Sequence, residues 1–222
     1  MNWVLDNLGM IGSLTLEHLR QSVIPIILGL VISIPLGWLA FRYTALRGVT
    51  LTIVGLIYTI PSLGLFGVIS ALFGIPMMTE ATLLIALTLY AIAVMTRFVA
   101  DGFDSVNPAT REASVAVGFG AWRRFWRVEL PLAGPVLFAG LRVMATSTIS
   151  LVTVGALIGV QNLGYLFTNG FQRRITEEVL AGLVIVVALA LVVDLLLVAL
   201  SRWLLPWQRA PRTVARRKAA IA

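Results

Sequence analysis

Few residues of this chain are equipped for chemistry, and their types limit what that chemistry can be. Arg142 and Asp194 are ionisable groups set inside long apolar sequence, where charge is costly and marks function by default. Arg142 lies eleven residues past Pro131 and Asp194 eight before Arg202, depths of about 16 and 12 Å at 1.5 Å per helical residue. Their similar depth predicts an ion pair; the alternative is that Arg142 snorkels while Asp194 faces a wet cavity. The second group is the stretch "REASVAVGFGAWRRFWRVELPLAGP", Arg111 to Pro135, with four arginines and two glutamates. Nothing here supports catalysis. There is no cysteine, and the one histidine, His18, has no partners for a metal cluster or a nucleophilic triad, so neither a catalytic nor a metal site is expected.

The elements that hold these residues are membrane spans. The chain is 59% hydrophobic and 12% charged, with a mean hydropathy of +0.96, outside the balance of a water-soluble domain. Gln21 to Phe41, Gly48 to Thr79 and Val143 to Gln172 contain no charged residue, and a span needs about 20 such positions. The net charge of +7 is arranged as topology rather than as a nucleic-acid patch. Arg42 and Arg47, then Arg97, Arg111, Arg123, Arg124 and Arg127, then the tail from Arg202 to Lys218 hold thirteen of the 17 basic residues, and the positive-inside rule puts all three places in the cytoplasm. An even number of crossings must join them. Five spans are predicted, near Ser22 to Phe41, Thr50 to Phe73, Ala81 to Ala100, Leu132 to Ile158 and Val179 to Leu204, with the N-terminus outside and the C-terminus inside. Residues 1–206 then form one membrane domain and 207–222 a basic cytoplasmic tail. Asp6 and Glu17 precede any basic residue, unlike a cleavable signal, and Trp3 to Leu19 reads as a short surface helix that stays in the mature protein, with His18 outside.

Two of the apolar runs are too long. Gly48 to Thr79 as one helix would reach about 48 Å against a ~30 Å hydrocarbon core, and Pro61 with Ser62, in "YTIPSLGLFG", is where it should break. A broken helix makes this stretch a candidate pathway wall, the alternative being a plain proline kink. Likewise "GALIGVQNLGYLFTNG" has a loop's composition and is expected to pack back over the outer mouth.

Within Arg111 to Pro135 and its approach, Asn107 caps and Pro108 starts a short helix, with Glu112 early in it, that Gly118 and Gly120 end. "AWRRFWRVE" reads as a second, amphipathic interface helix, and Leu130-Pro131 starts the fourth span. Residues 107–120 are thus either a handle for another protein or an anchor that sets topology.

This stretch resembles the cytoplasmic signature of binding-protein-dependent ABC importer permeases: EAA, three residues, G, nine residues, I, one residue, LP. Glu112, Ala113, Ser114, Gly118, Val128, Leu130 and Pro131 stand at those spacings, with Ser for Ala and Val for Ile. Further stretches, "IPLG", "IPSLGLFG", "LYAIAVMTR", "VNPATREAS" and "RVELPLAGPVLFAGLR", resemble permeases for glycine betaine, carnitine, choline and related osmoprotectants such as proline. Where that family often has "GAGGLG", this chain has "GVQNLG".

The resemblance implies an all-α, polytopic fold of about five transmembrane helices, the methionine-importer-like core, in a bacterial inner membrane. It implies a transport subunit that is not itself an enzyme, whose segment 107–120 couples to a dimer of separate ATPase subunits. It implies also a second permease, the same or a related chain, and an external binding protein that delivers the small-molecule substrate and holds the high-affinity aromatic cage. The sequence agrees with that division of labour. Lys218, in the tail, is the only lysine, so no phosphate-binding loop ending Gly-Lys-Ser/Thr exists, and no cofactor is expected in this chain; ATP and magnesium belong to the partner. Tyr58, Phe66, Tyr90, Tyr165 and Phe167 could line a path for quaternary ammonium, although aromatic residues in spans are usually lipid or packing residues. The alternative cargo is another small solute such as an amino acid.

Overall fold

A computed structural model describes residues 2–209. The basic tail beyond Arg209 lies outside them. Among the described residues the chain is a bundle of helices with no strand: α1 (Asn2–Asp6), α2 (Leu8–Arg42), α3 (Thr44–Thr59), α4 (Ser62–Phe73), α5 (Glu80–Asp104), α6 (Pro108–Ala116), α7 (Ala121–Arg124), α8 (Leu130–Val152), α9 (Gly164–Arg173) and α10 (Thr176–Leu204). Four unbroken helical stretches are long and apolar enough to cross a membrane, Leu8–Arg42, Glu80–Asp104, Ala121–Ile158 and Thr176–Leu204, and the bent pair α3 and α4 makes a fifth. Four of the five spans expected from sequence are continuous helical stretches, and the second corresponds to the bent pair α3 and α4.

At its N-terminal edge the first span differs from expectation. The surface helix and the first crossing are one 35-residue helix, α2, that runs through Pro25 and Pro35. The reason is a single buried stripe: Ile11, Leu14, His18, Ser22, Pro25, Gly29, Ser33, Gly37 and Ala40 recur every three or four residues and face the bundle. Its lower half is built of small residues that let α2 run tightly against α5. A Cβ on Gly29 would lie 2.4 Å from Ala91 Cβ, and one on Gly37 would lie 2.5 Å from Val99 Cβ and 2.8 Å from the Thr96 carbonyl oxygen. Ser33, between them, donates to the Ile92 carbonyl at 3.3 Å. This is small-residue packing of the kind that joins helices within membranes. Gly37→Ala is expected to push the two helices apart and cost about 1–3 kcal/mol, read as a lower midpoint of thermal unfolding in detergent.

α5 is the axis of the bundle, with α2, α3, α4 and α8 packed on it. Its lower half joins Val99 and Phe103 to Ala133 and Met144 of α8; its upper half joins Leu83 to Tyr90 with Leu65, Phe66 and Ile69 of α4. α10 stands outside this core, burying only Glu178, Gly182 and Val186 of its own length, so most of its apolar surface faces lipid or another subunit. The fourth helical stretch reaches Ile158, as expected, but its last turns change form. After Val152 the chain tightens into a 3-10 stretch, Thr153–Ile158, turns at Gly159 with φ 80°, and re-enters as α9. The loop-like "GVQNLGYLFTNG" is therefore largely helix, because Leu163, Leu166 and Gly170 are buried, Leu166 against Gly182 of α10. Tertiary burial overrides the weak helix preference of glycine and asparagine.

Candidate functional site

α6 begins as its sequence predicts. Asn107 Oδ1 accepts from the Ala109 amide at 2.9 Å, and Pro108 occupies the first helical position. It ends at Gly118, whose φ of 83° is the left-handed conformation, with Phe119 N donating to the Ser114 carbonyl at 3.0 Å and Gly118 N to that of Val115 at 2.9 Å. Such a stop needs a residue without a Cβ.

The helix presents its motif residues on different sides. Ser114 is buried and its Oγ donates to the Arg111 carbonyl at 2.6 Å. Glu112 and Ala113 are exposed, and among the described residues Glu112 makes no hydrogen bond or ion pair. What holds α6 in place is a residue that sequence reading passed over. Glu129 is buried, accepts from Arg124 Nε at 3.1 Å, and has Arg111 Nε 3.6 Å away. Arg111 also donates to the Phe103 carbonyl, at the foot of α5, and stacks over the Phe41 ring at 4.5 Å. One carboxylate thus ties α6 to the base of α8, and one guanidinium ties it to α2 and α5. The signal was present as the second acid of an arginine-rich stretch; only folding shows that it turns inward.

The expected second interface helix is not separate. Ala121–Arg124 continues through a π-helical turn, Phe125–Glu129, directly into α8, so Val128, Leu130 and Pro131 are half-buried inside one rod. Leu130-Pro131 opens α8, as expected, with the proline in its first turn where a missing amide costs least, but the helical rod already runs on from Ala121. Trp122 and Trp126 project from this rod, 75% and 50% exposed, while Phe125 packs between Trp38 and Phe103.

Further into the bundle, Pro61 breaks the second span. Ile60 is extended, as the residue before a proline prefers, and α3 and α4 meet at 109°. Pro61 is exposed and Ser62 partly buried at the start of α4. The freed Ile60 carbonyl accepts the Tyr90 hydroxyl at 2.5 Å. Arg142 and Asp194 meet side by side, Nε to Oδ1 at 2.6 Å and Nη2 to Oδ2 at 2.8 Å, joining α8 to α10. Of the five aromatic residues, Phe66 and Tyr90 are buried, Tyr165 and Phe167 are half-buried against α10, and Tyr58 is exposed.

At the opposite end of the bundle from the arginines, His18 is buried rather than outside in water, its Nε2 donating to the Ile149 carbonyl at 2.9 Å. Beside it, Asn162 donates to Gln21 Oε1 at 3.1 Å and to the Val152 carbonyl at 3.0 Å, and accepts from Gly164 N at 2.8 Å. Gly164 must remain glycine, since a Cβ would sit 2.1 Å from the Thr153 carbonyl oxygen. Asn162→Ala removes three buried hydrogen bonds and is expected to cost roughly 2–4 kcal/mol, with faster hydrogen exchange in residues 153–166 as the local readout.

The geometry is thus that of a polytopic helical membrane protein with a bent helix pair, an ion pair between α8 and α10 and a short exposed helix beside its arginine-rich segment. The chain belongs to the family of binding-protein-dependent transport system inner membrane components, which it matches over residues 29–209; it is a permease subunit of an ABC transporter. It is 35% identical over 211 residues to the osmoprotectant import permease protein OsmW of Salmonella typhimurium, covering 93% of this chain and 97% of that one. It is 29% identical to the glycine betaine/carnitine/choline transport system permease protein OpuCB of Bacillus subtilis, covering 93% and 94%. Among solved structures, the inward-facing MetNI methionine ABC transporter superposes with a TM-score of 0.77 at 20% identity over 89% of this chain and 97% of that one, which shows the shared fold.

Proposed function

We propose that this chain is the permease subunit of an ATP-driven importer of osmoprotectants such as glycine betaine, carnitine, choline or proline, in a bacterial inner membrane with its basic end cytoplasmic. The observation that carries this reading is α6: Glu112 and Ala113 are open to solvent while Ser114, Arg111 and Glu129 lock the helix to the bundle. A partner ATPase that binds ATP and magnesium grips the open face. Its closure then moves α6, and the unbroken rod Ala121–Ile158 carries that motion across the membrane to the Asn162 knot at the outer end. A second permease completes the path, and an external binding protein delivers the solute. The cargo is supported by the named functions of the near-full-length relatives.

Uptake of labelled glycine betaine and labelled amino acids at high osmolarity tests it, in cells carrying the chain with its ATPase and binding protein. Betaine uptake is expected. Amino-acid uptake without betaine overturns the cargo, and uptake that persists without the ATPase overturns the drive.

A further inference from the structure

The seam between α3 and α5 carries two features that coupling does not explain. The first lies at mid-height. Tyr90 is about 15 Å along α5 from Glu80 and about 21 Å from Asp104, at 1.5 Å per residue. Its ring meets that of Tyr58 edge to face, with centroids 6.0 Å apart, and Tyr58 is 51% exposed. The pair sits at the Pro61 break, and backbone that leaves the helical pattern at membrane depth belongs beside protein or a water-filled cavity.

The second feature is Arg97. It lies two helical turns past Tyr90 on the same face of α5 and is exposed, yet among the described residues it makes no hydrogen bond or ion pair. Arg47, on the same seam, by contrast contacts Asp101 at 3.5 Å and bonds Asp104. The undescribed residues contain no Asp or Glu that could serve Arg97. Helical side chains lean toward the N-terminus, so Arg97 points back up toward the tyrosines. A Cβ on Gly55 would lie 3.9 Å from its Nη2, and Gly55 is one turn, about 4.5 Å, below Tyr58. With no side chain at Gly55, the guanidinium reaches α3 about one helical turn below the exposed Tyr58 ring.

We propose that Tyr58, Tyr90 and Arg97 form a transit site for small zwitterions that carry a quaternary ammonium and a carboxylate, an assignment that rests on the osmoprotectant reading above. The exposed Tyr58 ring, braced edge to face by the buried Tyr90, receives the ammonium, whose diffuse charge suits a ring face and which has no N–H to be satisfied. Arg97 receives the carboxylate through its planar fork. Glycine betaine and carnitine use both halves of the site. Choline, which lacks the carboxylate, uses only the rings.

The test is uptake of labelled glycine betaine and choline by the complete importer, permease, ATPase and binding protein together, with the binding protein saturating. In R97Q the ratio of betaine to choline uptake is expected to fall roughly tenfold, the scale of a charge-assisted contact; R97K should retain most of the wild-type ratio. Y58F should keep more uptake of both solutes than Y58L, because the ring and not the hydroxyl makes the contact. Arg97 acting only as an anchor to lipid headgroups would depress both solutes equally in R97Q, and an unmoved ratio overturns the site. Equal uptake in Y58F and Y58L overturns the aromatic half. A wild type that carries neither solute overturns the osmoprotectant reading itself and the site with it. A wild type that carries both, with a ratio R97Q does not move, overturns the site alone.

Discussion

Glu112→Lys is expected to reduce uptake by roughly tenfold or more, the scale of an interface hot spot, while the permease still inserts and folds. Glu112 is exposed and makes no hydrogen bond or ion pair among the described residues, so reversing its charge should leave the bundle intact and alter what a partner meets. Gly118→Asp should give the same loss by another route, because a φ of 83° strains any residue with a Cβ and disturbs the end of α6. Co-purification of the ATPase with each variant is the measurement, beside the melting temperature of the permease. Loss of ATPase binding with an unchanged melting temperature in Glu112→Lys is the expected pattern. A variant that binds the ATPase and transports normally would remove α6 as the coupling element. Glu129→Gln is the informative contrast. It loosens Arg111 and Arg124 from their buried partner, so it should lower both the melting temperature and the coupling of ATP hydrolysis to uptake.

Neutralising either member of the Arg142 and Asp194 pair should be the second most damaging change. The two form a bidentate contact between α8 and α10, and removing one leaves the other charged and unmatched within a span. Arg142→Gln and Asp194→Asn are each expected to lower assembled permease and uptake several-fold. The double neutral variant should recover much of that loss, since neither charge is then stranded. Exchange of the two residues, Arg142→Asp with Asp194→Arg, should restore assembly as well. If the double variant were as poor as the worse single one, the contact would not be what ties α10 to the bundle. Membrane levels by immunoblot and betaine uptake together decide this.

The short helix α6 was legible from spacing because a cap, a glycine stop and a Leu-Pro pair are local features, each set by backbone chemistry within a few residues of itself. The broken span was legible from length alone, since no apolar run of 32 residues fits one straight crossing. Arg142 and Asp194 could be matched by depth because helical rise is constant and apolar surroundings make lone charges conspicuous. Misreadings arose where packing decides. The stripe of α2 runs from Ile11 to Ala40 as one face, but from sequence its N-terminal part reads as a separate surface helix, because Glu17, His18 and Arg20 interrupt the apolar run there. His18 was set outside by its place in the chain, whereas the bundle closes over it at Ile149.

By itself, then, the sequence determined that this is a helical membrane protein with about five crossings, where its charges lie along them, and which short segment forms a capped helix with a glycine stop. These follow from the cost of placing charge and unpaired backbone in hydrocarbon, which acts on each residue independently of the others. Only the tertiary structure decided that Glu129 turns inward to lock α6, that Tyr90 satisfies the Ile60 carbonyl at the break, and that Asn162 knots the loop before α9 to Gln21. Those contacts join residues far apart in sequence or on different elements, and their worth depends on burial and on a partner's exact position, which no local pattern of residues contains.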